Sequence, residues 1–267
     1  MNFPFYIARR YLFSKKKHNA INIISGISVC GVALATLALV CTLSVFNGFQ
    51  DMVASFFTAF DPQLKITVRE GKVFDGQDKR IGVVCLLPEV DVFTETLEEN
   101  AMVQYKDRQA MVVLKGVEDN FEELTAIDSI LYGAGDFLLH DSIVNYGVMG
   151  GELVATLGTG LQFVDPLQVY LPKRNAKVNM ANPGASFNRD YLYSPGVVFV
   201  VNQQEYDGKY ILTSLDFLRQ LLDYTTEVSA IELKLKPGAN VSSVQAKIEK
   251  ILGNDFIVQN RYQHQAD

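Results

Sequence analysis

Three histidines and three cysteines are the side chains of this sequence best suited to hold a metal, and their spacing works against it. His18, His140 and His264 are scattered along the chain. Cys30 and Cys41 fall inside one long apolar run, which leaves Cys85 by itself. A tetrahedral site needs four ligands gathered from close spacings or facing elements, so neither a metal nor a cofactor is expected. His140-Asp141-Ser142 contains the residue types of a nucleophilic triad. Adjacent residues cannot align hydroxyl, imidazole and carboxylate, however, and no G-x-S-x-G elbow occurs, so this is read as a surface loop. Gly133-Ala134-Gly135 and Gly158-Thr159-Gly160 lack the further glycine and the strand-to-helix setting of a dinucleotide site, and no phosphate-binding G-x-x-x-x-G-K-[ST] is present. They are read as turn glycines. Asn240-Val241-Ser242 fits a glycosylation acceptor, but a helix N-cap accounts for Asn240 without modification. With no catalytic constellation the chain reads as no enzyme, and function has to be sought in what it binds and where it sits.

Where it sits follows from Asn19 to Gln50, thirty-two residues without a charge. Ile21 to Phe46 would span about 39 Å as a helix, against a bilayer core of about 30 Å. A cleavable signal has a much shorter apolar region followed by small residues. Here the run is longer and ends in Ser44-Val45-Phe46-Asn47-Gly48-Phe49, which marks an anchor. All five charges before it, Arg9, Arg10, Lys15, Lys16 and Lys17, are basic. That places the N-terminus in the cytoplasm and the remainder outside. Five of the 24 basic residues are thereby used, leaving 19 against all 30 acids, a net of −11 beyond Gln50. An acidic exterior excludes nucleic acid as a partner. One outer cysteine excludes a disulfide framework, and Cys85, in Val83-Val84-Cys85-Leu86-Leu87, is expected as a small core residue.

The elements that would position a binding surface come next. Phe3 to Phe13 has Phe5, Ala8 and Leu12 on one helical face, an interfacial helix with its cations toward anionic lipid. Within the span, Ser28, Gly31, Ala35, Ala38 and Thr42 recur at steps of three and four. Such a stripe lets helix backbones approach closely, and it is read as a transmembrane packing face. Phe49, Val53, Phe56, Phe57 and Phe60 continue the helix as a stalk to Asp61-Pro62. Beyond it the pattern is mixed: a strand at Gln63 to Arg69, a helix at Gln77 to Leu87, and a hairpin of Ala101 to Tyr105 with Gln109 to Lys115. A short helix near Asn120 to Ile127, a strand near Ile143 to Met149, a helix at Gly151 to Leu157 and a strand at Leu167 to Leu171 follow. Pro172 to Pro195 has no periodicity, three prolines, four asparagines and the basic Lys173, Arg174 and Lys177. An aperiodic stretch of that length is a candidate functional loop. Strands at Val197 to Val201 and Tyr210 to Thr213 and a helix at Leu215 to Leu222 lead to a closing β-α-β unit. That unit comprises Ile231 to Leu235, a helix from Val241 capped by Asn240, and Phe256 to Val258, of the split ferredoxin-like kind.

The fold expected is therefore α+β: one N-terminal transmembrane helix with a stalk, then a mixed α/β domain with a ferredoxin-like, porter-like subdomain and a smaller inserted subdomain. The boundaries are 1–18 for the cytoplasmic segment, 19–48 for the span and 49–62 for the stalk. Residues 63–116 and 226–267 make the discontinuous porter-like subdomain, and 117–225 the insert with its loop 172–195.

The basic N-terminus, the small-residue span ending in Asn47-Gly48-Phe49, Asp61-Pro62 before the first strand, and Gly150-Gly151-Glu152-Leu153 leading into a helix occur together in this order. In that combination the chain resembles the first part of permeases of the lipoprotein-releasing ABC system, the LolC/LolE family, relatives of macrolide-exporter and cell-division permeases. The resemblance runs from Phe3 to His264. It implies an inner-membrane transport subunit that pairs with a second permease and is driven by a cytoplasmic ABC ATPase. Such a subunit takes a lipoprotein substrate from the membrane and passes it to a periplasmic lipoprotein carrier. It also implies that loop 172–195 grips the carrier, with Met180, Pro183 and Phe187 as apolar contacts and Lys173, Arg174 and Arg189 steering an acidic partner. Members of that family have three further spans, so a continuation past Asp267 is expected. The alternatives are a cell-division-type permease that binds a wall hydrolase, and a single-span scaffold with an outer interaction domain.

Overall fold

The computed structural model describes residues 3–12, 20–56, 62–174 and 186–264. The chain divides into two compact units, Met1–Ser55 and Phe56–Asp267.

The first unit consists of α1 (Phe3–Leu12) and most of α2 (Ala20–Phe56). Its stretch Ile23–Phe49 has a mean hydropathy of 2.4, and none of that apolar window is buried within the chain. A helix apolar all round and uncovered by protein requires another apolar medium, which is the membrane reading. Its hydroxyls are satisfied inside the helix: Ser28 Oγ donates to the Ile24 carbonyl at 3.0 Å, Thr36 Oγ1 to Val32 at 2.8 Å and Thr42 Oγ1 to Ala38 at 2.8 Å. In a hydrocarbon environment that removes the penalty of a bare polar group. Val53 and Phe56 of the expected stalk lie on α2, whereas Phe57 and Phe60 lie outside the described residues, as does Phe13.

The second unit runs β1 (Leu64–Val68), β2 (Phe74–Asp75), α3 (Lys79–Cys85), β3 (Val90–Tyr105), β4 (Arg108–Val117), α4 (Phe121–Leu124), β5 (Leu131–Gly133), β6 (Val148–Gly150), α5 (Gly151–Leu157) and β7 (Leu167–Pro172). It continues through β8 (Phe187–Leu192), β9 (Val197–Phe199), α6 (Gln204–Asp207), β10 (Tyr210–Ser214), α7 (Leu215–Leu222), β11 (Glu227–Val228), β12 (Ala230–Leu235), α8 (Val241–Leu252), β13 (Phe256–Asn260) and α9 (Arg261–His264). Among the described residues one eleven-stranded sheet has the order β13-β1-β12-β3-β4-β10-β6-β9-β5, with β7 and β8 joined to β3.

The first four strands of that order are all antiparallel to their neighbours. β1 and β3 thus run parallel around β12, and β12 and β13 run parallel around β1. With α3 and α8 as crossovers this is the ferredoxin-like β-α-β-β-α-β arrangement. Its core joins Leu64, Ile66, Ile231 and Leu233 to Ile81, Val84, Val244, Ile248 and Leu252. Both helices start on side-chain caps: Asp78 accepts from Arg80 N and Asn240 from Ser243 N, each replacing a hydrogen bond the first turn lacks.

Cys85 is not a core residue. It is exposed, because α3 buries Ile81 and Val84 three apart and turns Val83, Cys85 and Leu86 outward. The strand expected near Ile143 to Met149 begins only at Val148. Before it, the carboxylate of Asp141 captures the amides of Ile143 and Val144 at 2.7 and 2.8 Å and withdraws them from any ladder. The aperiodic stretch Pro172 to Pro195 is not all loop, since β8 occupies 187–192 and pairs with β7 along six residues, from Leu167↔Leu192 to Pro172↔Phe187.

β3, sixteen residues long, is the axis of the unit. β12 lies along its first half and β7 along part of its second half, while β4 pairs with it from Thr96 to Tyr105. β10 then adds to β4 in parallel, and the sheet continues through β6, β9 and β5. Two further cores form there. Leu97, Val103, Leu153, Val169, Leu215 and Leu218 pack beneath α5 and α7, and Val117, Phe121, Val148, Phe199 and Leu212 pack around α4.

One charged pair is sealed inside this sheet. Lys115 Nζ, in a side chain 3% exposed, lies 2.6 Å from Oε1 of Glu232, which is 0% exposed, and 3.6 Å from Glu98; Glu98 also lies 3.4 Å from Lys65. Removing one partner of such a pair strands the other charge, whereas replacing both by apolar groups does not. Lys115→Met should therefore lower unfolding stability by about 3 kcal/mol, and Lys115→Met with Glu232→Leu should recover most of that. Denaturant unfolding of the detergent-solubilised protein followed by circular dichroism checks both.

Candidate functional site

The hairpin of β7 and β8 carries exposed basic side chains at one end. β7 is fixed on one side by β3, through Met102↔Tyr170, Val103↔Val169 and Gln104↔Gln168, and on the other by β8. Among the described residues β8 pairs with β7 alone, so it is one of the sheet's edges. At the hairpin's open end Pro172 faces Phe187, and Lys173 N donates to the Ser186 carbonyl at 2.9 Å. Of the six predicted docking residues, Lys173, Arg174, Phe187 and Arg189 are brought together here, and Met180 and Pro183 lie outside the described residues. Lys173 and Arg189 are exposed, and Phe187 is partly so. Arg189 stands opposite Tyr170, with its guanidinium 5.8 Å from the ring centroid of Tyr191. Tyr170 and Tyr191 were not anticipated as part of this surface. Alternation in Gln168-Val169-Tyr170, which buries Val169 and turns the other two outward, is the signal that could have found Tyr170.

A second concavity lies where α7 begins. It encloses about 410 Å³ and is lined by Glu118, Asp119, Asn120, His140, Asp216 and Arg219 among others. His140 Nε2 lies 3.0 Å from Asp119 Oδ1. Asp141 faces elsewhere: besides the two amides it accepts the Tyr146 hydroxyl at 2.8 Å, and these donors hold its pKa below the usual carboxylate value. His140, Asp141 and Ser142 therefore make no relay. Glu118 has a raised pKa, first because burial disfavours its charge and further because Glu95 is near, although the Glu95 amide donates to it at 2.9 Å. Arg219 is committed to Glu95 at 2.6 Å. Among the described residues no three His, Cys, Asp or Glu side chains converge as metal ligands.

Gly150-Gly151-Glu152-Leu153 stands at the turn from β6 into α5. A Cβ on Gly150 would strike the Asp207 backbone in α6, one on Gly151 would meet Val200, and Leu153 is fully buried. The two glycines are therefore a close backbone packing point. On α2 the predicted packing face, Ser28, Gly31, Ala35, Ala38 and Thr42, is exposed along its whole length within the chain.

A sequence profile of the MacB-like periplasmic core domain matches residues 25–251. The chain belongs to that family. Among curated proteins it is similar to the lipoprotein-releasing system transmembrane protein LolE of Haemophilus influenzae, with 25% identity over 248 residues that cover 88% of this chain and 55% of that protein. It is also similar to the lipoprotein-releasing system transmembrane protein LolC of Xylella fastidiosa, with 21% identity over 254 residues, 94% of this chain and 59% of that one. The chain thus spans somewhat more than half the length of these relatives. Among solved structures, the periplasmic region of MacB from Actinobacillus actinomycetemcomitans aligns with a TM-score of 0.51 at 10% identity, over 79% of this chain and 93% of that one. At that identity the likeness concerns the fold.

The MacB-like core domain thus holds a carboxyl, Glu118, whose pKa folding raises, chiefly through burial. A raised folded pKa gives stability that is complete below the unfolded carboxylate pKa and lost as pH rises through the folded value. Stability of the second unit should therefore carry a component that declines with pH just above the ordinary Glu range. Glu118→Gln should abolish that component and leave the protein more stable than wild type above it. Unfolding midpoints measured between about pH 4 and 7 decide this, and an unchanged slope in the variant would assign the effect to other carboxyls.

Proposed function

We propose that this chain is the anchored front part of an ABC-transporter permease of the inner membrane that releases lipoproteins to a periplasmic carrier. The observation that carries the reading is the basic, exposed open end of the β7–β8 hairpin on a domain whose net charge is acidic, attached in sequence to an uncovered apolar helix. Positive charge at one end of an edge hairpin steers an acidic partner and sets its on-rate more than its affinity. The names of the LolE and LolC relatives support lipoprotein release as the process.

In this reading residues 63–116 and 226–267 form a porter-like subdomain and 117–225 an insert that presents the hairpin. Lys173 and Arg189 steer the carrier, and Met180, Pro183 and Phe187 supply apolar contact. The charge bias before α2 keeps the N-terminus in the cytoplasm. The stripe Ser28, Gly31, Ala35, Ala38 and Thr42 packs against other helices of the permease pair. Work comes from a separate cytoplasmic ATPase, and this chain contributes binding and transmission, not chemistry.

A photo-crosslinking amino acid at Met180 in cells should trap the soluble lipoprotein carrier. Replacing residues 176–184 by a Gly-Ser linker should abolish that capture while thermal unfolding of the domain stays unchanged. A wall hydrolase in place of the carrier would move the assignment to a cell-division permease. Capture that survives the replacement would remove the hairpin from the mechanism.

A further inference from the structure

The hairpin is not a free arm. Arg174 Nη1 lies 3.5 Å from Oε1 of Glu227, and its guanidinium carbon stands 5.0 Å from the centroid of the Tyr224 ring. From the other arm, Asn188 Nδ2 donates to the Leu221 carbonyl at 2.7 Å. Leu221 lies at the end of α7, Tyr224 in the turn that follows it, and Glu227 at the start of β11. Both arms are thus tied, near the open end, to the same short segment.

That segment is itself held from behind. Oε2 of Glu227 accepts from the amides of Thr225 and Thr226 at 2.8 and 3.2 Å, which orients the carboxylate before Arg174 meets it. Arg219 reaches the carbonyls of Thr226 and Glu227 and, at 2.6 Å, the Glu95 carboxylate on β3. The turn is also stitched to β2 through Glu227↔Asp75, Val228↔Phe74 and a hydrogen bond from Gly76 N to the Thr226 carbonyl at 2.9 Å. A continuous path of contacts therefore runs from the ferredoxin-like strands, through residues 221–227, to the base of the hairpin's tip.

We infer that residues 221–227 form a seat that aims the hairpin, and that Arg174 and Asn188 are positioning residues of that seat rather than contacts for a partner. This deepens, and rests on, the reading of the hairpin as a docking element. An exposed ion pair alone contributes little. Here the carboxylate is pre-oriented, an aromatic face backs the guanidinium, and a second tie restrains the opposite arm. Hairpin arms held in place before capture lose less freedom on it.

Hydrogen exchange of the full protein in detergent or nanodiscs tests the seat without any carrier. Arg174→Ala, Glu227→Gln and Asn188→Ala should each speed exchange of the amides of Lys173 and Asn188 by about fivefold, with α8 and β13 unchanged. Arg174→Lys should stay within about twofold of wild type, and Arg174→Ala with Glu227→Gln should exchange no faster than Arg174→Ala alone. Carrier crosslinking from position 180 should fall in Arg174→Ala and return in Arg174→Lys. Wild-type exchange in Arg174→Ala, or strict additivity of the pair, would overturn the seat. A wild-type hairpin that never crosslinks the carrier would overturn the docking reading, and the exchange data would still decide the seat.

Discussion

A lysine cannot stay charged in an apolar interior without a partner, and the second unit is built around satisfying one. Burial alone would depress the pKa of Lys115. Glu232 and Glu98 more than offset that and hold it above the ordinary lysine value, while the face of Phe121 lies 5.5 Å from its ammonium. Four adjacent strands supply this arrangement: Lys65 on β1, Glu232 on β12, Glu98 on β3 and Lys115 on β4. A slip of one residue in any of them would turn its charge to the opposite face. The pair therefore specifies register more than it adds stability, since an ion pair taken out of water gains little net energy. One oxygen, Glu232 Oε2, is buried without a hydrogen-bond partner among the described residues, which is a cost that an apolar pair would avoid.

Register matters because β3 contributes to all three cores. In its first half Val90, Val92, Thr94 and Thr96 are buried, and in its second half Leu97, Ala101, Val103 and Tyr105. The buried parity switches between Thr96 and Leu97 as the strand leaves the ferredoxin-like layer and enters the region beneath α5 and α7. At the same point its edge passes from β12 toward β7, while β4 runs alongside its second half. α7 packs on β4 so closely that a Cβ on Gly116 would press on Leu215 and Leu218. The hairpin, the helix that seats it and the ferredoxin-like layer are thus placed by one strand and its immediate neighbours. Their relative positions within this unit depend on the charges that lock that strand.

Elements with one buried face and a cap were legible in the sequence. α7 begins where Ser214 accepts from Phe217 N and α8 where Asn240 accepts from Ser243 N, and both show the helical repeat clearly. α2 was legible from length and the absence of charge. The first half of β3 was not, because the switch at Thr96-Leu97 breaks any single alternation. β8 was not, because Asn188 to Tyr191 have solvent access and leave no buried face to write a pattern. Val83-Val84-Cys85 misled, because an apolar run says nothing of direction until the helix around it is known. At the hairpin, exposure of Lys173 and Arg189 follows from composition. The engagement of Arg174 does not, since Glu227 lies 53 residues away and nothing local distinguishes a tied arginine from a free one.

The same absence of pattern in β8 explains how an exposed edge can be tolerated beside a binding tip. A flat apolar edge would offer its unpaired backbone to any extended chain. β8 instead places Asn188, Arg189 and Asp190 in succession, with Asp190 Oδ1 accepting from the Tyr191 amide at 2.8 Å, so charge and local capture of a donor oppose further strand addition. Recognition at this end of the molecule is thereby shifted from the backbone ladder to side chains at the tip. A partner read by side chains can be acidic, selected by charge and released, whereas one added as a strand would be held by main-chain hydrogen bonds regardless of its sequence. For a domain proposed to receive a cargo carrier and let it go, the charged edge and the aimed tip are two halves of one requirement: capture has to be directional, and it has to be reversible.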